Sequence, residues 1–531
     1  MTQADNITPS ANRQIARAAG TVMVAFIISN LVGVVRGIVI TNAFGTSVEM
    51  DSFNAANRIA ELLFNLVAGG ALGSAFIPTF TGFLTREDRA GAWKLASGVI
   101  NLVFLALILI SILAWIFAPQ IVRYGLFLLA PEANLGQEAL TISLLRTMLP
   151  SVVIFGISGL VMGILNAHQV FLIPAIAPAM YSLGMILGTW LLPHSWGIQR
   201  LAIGVVGGAL MHLVVQLPRL FRLEGRTYHF FLGLRDKVVL EVFKLMGPRL
   251  LGVAVVQLNF IINTIIALGQ PGGSVSAISL AFSLMLMPEM AVAQSAAIAS
   301  LPTFSAQVER GELEEMRASL ASTLRAVLLL AIPSSVGLIL LRYPLIRVLY
   351  ERGEFTSHST DLVTWALLWY AAGLVGHALV EILSRAFYAM HDTRTPVSVG
   401  VVAMGLNVVL SLTFSNLFAR IGWMPHGGLA LANSLATALE SIALILLMRK
   451  RLNGLGGGYI WKGVATSILG TALMAAAVVG WQALMAGRST VAILFGGLGV
   501  GVGVYGGLMW ALKVPEVIGT VRALVGRIRR K

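Results

Sequence analysis

Residues 95–116 read LASGVINLVFLALILISILAWI, twenty-two consecutive positions without a charged side chain. As an α-helix this run is about 33 Å long, enough to cross the hydrocarbon core of a bilayer. A transmembrane strand would need only about ten residues and would alternate apolar with polar, which this stretch does not do. Runs of the same kind recur near 17–41, 58–84, 95–122, 138–165, 172–193 and 200–222. They continue near 238–268, 274–305, 317–350, 361–389, 396–419, 428–448, 463–486 and 491–512. The whole chain agrees: of 531 residues 57% are hydrophobic and 11% charged, against roughly 25% charged in soluble domains, and its mean hydropathy is +0.85. Such a chain needs lipid as its solvent, and there the backbone must satisfy its own hydrogen bonds. The expectation is an all-α integral membrane protein of about fourteen spans. Residues 1–16 are polar and the first apolar run is too long for a signal-peptide core, so no cleavable signal is expected.

The formal charge of +14 raises the question of a nucleic-acid partner, and its distribution argues against one. The basic residues sit in short loops between apolar runs, as topology determinants do. Assigning alternate loops to alternate sides places roughly three quarters of the loop Lys and Arg on one face, which by the positive-inside rule is cytoplasmic. That face carries Arg86 and Arg89, the connector Arg219 to Lys237, Arg449 to Arg451, and the tail residues Arg527, Arg529, Arg530 and Lys531. Both termini are therefore expected in the cytoplasm, the tail anchored at anionic headgroups. The absence of cysteine excludes disulfides and thiolate metal sites. The eight histidines lack zinc-ligand spacing and no phosphate-binding loop is present, so transport would not run on the chain's own ATP hydrolysis.

The sequence also repeats itself. Ala75-Phe76-Ile77-Pro78-Thr79-Phe80 is echoed by Ala299-Ser300-Leu301-Pro302-Thr303-Phe304, 224 positions on, and Asn166 to Pro174 by Tyr388 to Pro396, 222 positions on. An even number of spans separates the copies, so both have the same orientation, predicting two pseudo-symmetric six-helix lobes. The expected organisation is a cytoplasmic segment 1–16, an N-lobe 17–222 (spans one to six) and a C-lobe 223–450 (spans seven to twelve). Residues 451–531 would hold spans thirteen and fourteen and the basic tail. Two lobes suit a central path that opens alternately to either side; duplication without transport is the plainer alternative.

Several motifs carry a specific resemblance. Ser29 to Arg36 (SNLVGVVR), Phe44-Gly45, Asp51-Ser52-Phe53 and Ala75 to Pro78 come first, followed by Gly163 to Asn166, Ile173-Pro174-Ala175, Gln216-Leu217-Pro218 and Met246-Gly247-Pro248. Ile262-Asn263-Thr264, Gly353 to Thr356 and Phe387 to Pro396 complete the series. In order and spacing, over roughly residues 20–450, the chain resembles the MurJ (MviN) family of lipid II flippases, within the multidrug/oligosaccharidyl-lipid/polysaccharide exporter superfamily. The resemblance implies a cavity between the lobes for a pyrophosphate and sugar-peptide headgroup, and a groove for the polyprenyl tail lined by spans thirteen and fourteen. By position it assigns Arg36, Ser29 and Asp51 to the cavity. The chain departs from the family pattern at Asn30, Gly37, Phe64, Gly69, Phe282-Ser283 and Leu286, where arginines and acidic residues are usual.

A pyrophosphate crossing hydrocarbon needs buried cations along its path, so the intramembrane charges are the candidate site. Arg36 leads, with Ser29, Asn30, Asp51, Arg58, Glu61, Arg249 and Ser283 as further cavity candidates. Arg36, Arg58, Asp51 and Glu61 could equally cancel as an ion-paired cluster locking the first hairpin. Arg249 and Glu289 could line the path or pair inside a lobe, whereas Arg146 is expected to snorkel to the interface. Asp392 is read as capping a helix, with Pro396 in its first turn. Some family members bind Na+ in the second lobe; Asn259, Asn263 and Asn407 are the weak candidates here, though intramembrane asparagines more often bridge helices. No other cofactor is expected. The leading function is a flippase for lipid II or another polyprenyl-pyrophosphate-linked saccharide, working as a monomer among membrane lipids, with cell-wall synthesis proteins as candidate partners. Rivals are an exporter of teichoic, capsular or O-antigen units or of a small organic cation, and a non-transporting scaffold. An enzyme is least expected, since no nucleophile–base pair stands out.

Overall fold

The computed structural model describes residues 9–67, 71–129 and 135–516, and within these the regular structure is entirely helical. Contacts divide the chain into two compact units, residues 1–269 and 270–531. In the first lie α1 (Pro9–Phe44), α2 (Val48–Val67), α3 (Ala71–Thr85), α4 (Arg89–Ile116), the short α5 (Ala118–Gln120) with a π-helical turn after it, and α6 (Leu135–Ala167). It continues with α7 (Leu172–Leu191), α8 (Gln199–Val214), the short α9 (Leu217–Phe221) and α10 (Lys237–Leu268). The second holds α11 (Ser274–Glu289), a π-helical turn Met290–Gln294, α12 (Ser295–Glu309), α13 (Leu313–Tyr350), α14 (Ser357–Ala389), α15 (Arg394–Arg420), α16 (His426–Arg451), α17 (Gly457–Leu484) and α18 (Thr490–Ala511). Eleven helices are long and apolar enough to cross a membrane, with shorter apolar stretches at Ile28–Phe44, Phe76–Thr85 and Val253–Leu268. The chain is a multi-pass α-helical membrane protein.

The helices turn the soluble-protein pattern inside out. The buried stripe of α15 is Ala403, Asn407, Ser411, Ser415 and Phe418, small and polar residues at helical spacing, while Val402, Val409 and Leu412 are exposed. With lipid as solvent there is no gain in hiding Val or Leu, so interfaces select small residues that let backbones approach. The helix pair α7 and α8 shows the limit of this: a Cβ added to Gly184 would lie 2.2 Å from Gly208 Cα, and one on Gly188 2.5 Å from Gly204 Cα. Polar side chains close the remaining gaps. Ser158 Oγ and His212 Nδ1 share a hydrogen bond of 2.7 Å, and the Gln216 amide donates to Ser158 at 2.7 Å. This is a serine–histidine pair the sequence did not reveal, but Ser158 is fully buried and serves to join α6 to α8.

The first unit packs α2, α3, α4 and α8 around α6, with α1 against α7. Its buried cluster runs through Phe76, Phe80, Trp93, Leu107, Leu160 and Ile164. α10 packs on α2 and α3, so the helix taken from sequence to open the second lobe lies with the first compact unit. In the second unit α14 contacts α11, α13 and α16, α15 lies on α16, and α17 and α18 lean on α13.

The repeat is written into the backbone. Glu87 (φ 60°) and Gly311 (φ 75°) are 224 positions apart and both left-handed. Asp88 N–H donates to Phe83 O and Glu312 N–H to Gln307 O, the six-to-one bond of a Schellman helix stop. Gln169 and His391, 222 apart, both have φ 58°, with Val170 N–H on Leu165 O and Asp392 N–H on Phe387 O. Each duplicated sequence motif therefore ends its helix with the same local geometry.

Candidate functional site

The first unit holds the charges singled out from sequence. α2 begins at Val48, about ten residues before the expected span, because Val48 to Ala56 continues the helix ahead of its apolar part. Arg58 and Glu61 consequently sit mid-helix, where the i to i+3 spacing joins them at 2.8 Å. Asn57 donates to the other Glu61 oxygen at 2.8 Å, and the Arg58 guanidinium lies 4.9 Å from the Phe260 ring centroid. Asp51, in the first turn of α2, is 3% exposed.

Arg36 stands apart from that pair. Its Nη1 is 4.0 Å from Met185 Sδ and its guanidinium 6.0 Å from the Tyr181 ring centroid, both on α7. Among the described residues Arg36 makes no ion pair, whereas Arg58 is bridged to Glu61. Tyr181 also borders a cavity of about 250 Å³ lined by Asn57, Glu61, Phe64, Phe155 and His212. Phe155 stacks edge-on to Tyr181 at 4.9 Å and lies 5.8 Å from Phe64, so a phenylalanine wall stands at the departed family position. Tyr181, Phe155 and His212 were not legible as lining residues; a polar ring in the middle of an apolar run was the only signal for Tyr181 and His212, and Phe155 gave none.

The remaining candidates scatter. Ser29 is buried and donates to Ala175 O at 2.8 Å, tying α1 to α7. Asn30 is exposed on α1. Ser283 is exposed on α11, in the second unit, its hydroxyl turned back to Ser279 O at 2.9 Å. The Arg249 side chain, Gly69 and the basic tail lie outside the described residues. Asn263 donates to the Asn259 carbonyl and side-chain oxygen at 3.1 and 3.2 Å. Asn407 is buried on α15, in the other unit. No group of three or more His, Cys, Asp or Glu that could hold a metal ion occurs among the described residues. Arg146 behaves as an interfacial residue, donating to Trp115 O at 3.1 Å with its guanidinium 4.5 Å from the Trp115 ring.

The second unit contributes an apolar groove of about 710 Å³ between α13, α17 and α18, lined by residues such as Leu329, Leu341, Met474, Val478, Leu494 and Val502. One charged residue, Glu516, reaches its wall and bridges to Arg325 at 3.0 Å, whose guanidinium lies 4.3 Å from the Tyr459 ring. Apart from Glu516 the lining is apolar or small.

Outside the spans the charges do structural work. Asp392 accepts from Thr395 N–H at 3.0 Å and from its hydroxyl at 2.7 Å, and pairs with Arg451; Pro396 falls in the first turn of α15. The Thr395 bonds, joined by Arg451, hold the Asp392 carboxyl below the usual carboxylate range. Asp236 caps α10 through Val238 and Val239 N–H and meets Lys94 at 3.1 Å. Partial burial pushes its carboxyl up, but Lys94 and the two backbone bonds outweigh this and leave it lowered.

A bilayer-crossing chain with two helical units, an intramembrane cation that makes no ion pair among the described residues and an apolar groove has the make-up of a lipid-linked-substrate exporter. Its fold matches that of a multidrug resistance MATE family transporter of the MOP superfamily in the inward-facing conformation. The TM-score is 0.67 at 15% identity, covering 80% of this chain and 94% of that one. A structure described as Lipid II flippase MurJ in an inward closed conformation aligns with TM-score 0.77 at 24% identity, over 92% of this chain and 98% of the other. The family model described as Lipid II flippase MurJ matches residues 40–497. The Lipid II flippase MurJ of Burkholderia cenocepacia is 31% identical over 479 residues, 88% of this chain and 90% of that one. The chain belongs to the MurJ family.

Proposed function

We propose that this chain is a flippase that moves lipid II, the lipid-linked peptidoglycan precursor, from the cytoplasmic to the periplasmic leaflet of the inner membrane by alternating access. Family membership across residues 40–497 is the observation that carries this reading. The eleven long apolar helices together with the three shorter apolar stretches support fourteen spans. The shared turns 222 and 224 residues apart support two repeated six-helix lobes followed by spans thirteen and fourteen. In this reading both termini are cytoplasmic and the chain works as a monomer beside cell-wall synthesis proteins.

Arg36 is the cation for the pyrophosphate, since it makes no ion pair among the described residues; the Arg58–Glu61 pair and Asp51 shape the wall near it. Arg249 is a second candidate cation, and Ser29, Asn30 and Ser283 are lesser members of the lining. Asn259, Asn263 and Asn407 remain the candidates for a monovalent cation. The groove between α13, α17 and α18 takes the polyprenyl tail, which leaves only the headgroup to be paired. Depleting the chain from cells and measuring how much lipid II can be reached from outside tests the function: accessible lipid II should fall. Asn30, Gly37 and Phe64 at family charge positions favour a second reading, another polyprenyl-pyrophosphate-linked saccharide. Unchanged lipid II exposure with a cytoplasmic build-up of a different saccharide lipid would select it.

A further inference from the structure

The membrane part of the second unit holds acidic as well as basic side chains. Glu381 is matched by Arg385, one turn on in α14, at 2.7 Å. Glu289, the last residue of α11, is 7% exposed, and Glu440 is partly buried near the middle of α16, its carboxylate close to Gly400 of α15. Neither Glu289 nor Glu440 has an ion pair or a hydrogen bond among the described residues. α11 packs on α13, α14 and α16, and the field of Glu381 acts on Glu289. Other charged or titratable side chains on these neighbours include Arg325, Arg342 and Arg347 of α13, His377 of α14 and His426 of α16, of which Arg347 pairs with Glu351 and His426 bonds the Leu362 carbonyl. On α14, His377 bonds Asn433 Oδ1 at 3.1 Å; on α13, Arg325 is held by Glu516 and Arg342 donates to Ile339 O. The π-helical turn and the apolar part of α12 supply none.

A bare carboxylate in this position is too costly to keep. A bound metal ion would need several ligands, and no group of three or more His, Cys, Asp or Glu that could hold one occurs among the described residues; a proton needs only the carboxylate itself. The π-helical turn begins at the next residue, Met290, and such turns mark places where a helix gives up regularity, frequently at functional positions. We infer that Glu289 is a proton-binding site of the second unit, taking up a proton from water when buried beside the Glu381–Arg385 pair and releasing it when water reaches the break in the helix. The step forms one O–H bond on the carboxyl and leaves the donor water's hydroxide to the bulk buffer. It would couple the state of this unit to protons whatever lipid the chain moves.

Infrared difference spectroscopy of the full chain in vesicles, titrated with pH in light and heavy water, reads the carboxyl directly and needs no substrate. A protonated-carboxyl band should be present in the wild type, with one component that is lost in Glu289→Gln and retained in Glu440→Gln. Glu289→Asp should shift the band without removing it, which keeps the assignment testable should the Gln variant insert poorly. No protonated band at any pH, or a band untouched by both Glu289 substitutions, overturns the inference. So does a carboxylate signal that answers to sodium at constant pH, which would make the site one for a metal ion.

Discussion

Arg36 shows how far a single side chain can be taken. In sequence it was one of four neighbouring charges that could sum to zero; in the structure Arg58 and Glu61 satisfy each other and Arg36 is left against Tyr181 and Met185. Geometry alone decides between those outcomes, because both depend on which way side chains of adjacent helices turn. Arg36→Ala is expected to abolish flipping while the protein remains folded and inserted, whereas Arg36→Lys should retain part of the activity, since charge survives but the planar fork does not. Full complementation by the alanine variant would remove Arg36 from the mechanism. A second residue prediction concerns acid. Asp392 is lowered by Thr395 and Arg451, so its folded value lies below the unfolded one. Its contribution to stability is complete above the unfolded carboxylate range, about pH 4, and disappears as pH falls through the folded value. Melting temperature measured on an acid series should drop less steeply for Asp392→Asn than for the wild type, with the two curves converging at the lowest pH.

At the scale of the element, apolar runs located the helices because lipid demands them, and the capping of α15 by Asp392 followed from local chemistry. The early start of α2 at Val48, the π-helical break after Glu289 and the packing of α10 on α2 and α3 were not legible. A helix may be extended by polar residues that tertiary contacts cover, and a π turn costs the sequence no distinctive residue. The close pairing of α7 and α8 is also a property of two helices together. Gly184→Val places atoms against the Gly208 backbone, which cannot move aside like a flexible side chain. It should destabilise by more than the roughly 1–3 kcal/mol of ordinary overpacking. Gly207→Ala, with open space around its Cβ, should be neutral or slightly stabilising because alanine is the better helix former. Thermal unfolding in detergent, followed by loss of the monodisperse species, distinguishes the two.

For the whole molecule, the lack of cysteine makes topology directly measurable. A single cysteine at position 230 should react with an impermeant thiol reagent only after the membrane is opened; labelling of intact cells would reverse the proposed orientation. If the proposed anionic substrate moves outward, a potential negative inside assists it by about 2.3 kcal/mol per charge per 100 mV. An ionophore that collapses the potential should then stop export in cells that still hold normal ATP, and persistence of flipping would sink the electrostatic drive. The matching turns have a consequence for the backbone at each corner. One keeps Glu87 in a left-handed conformation and its counterpart has Gly311 there, so the chain carries a strained and a relaxed version of the same turn. Each is the other's control: Glu87→Gly should steady the first corner and Gly311→Glu unsettle the second.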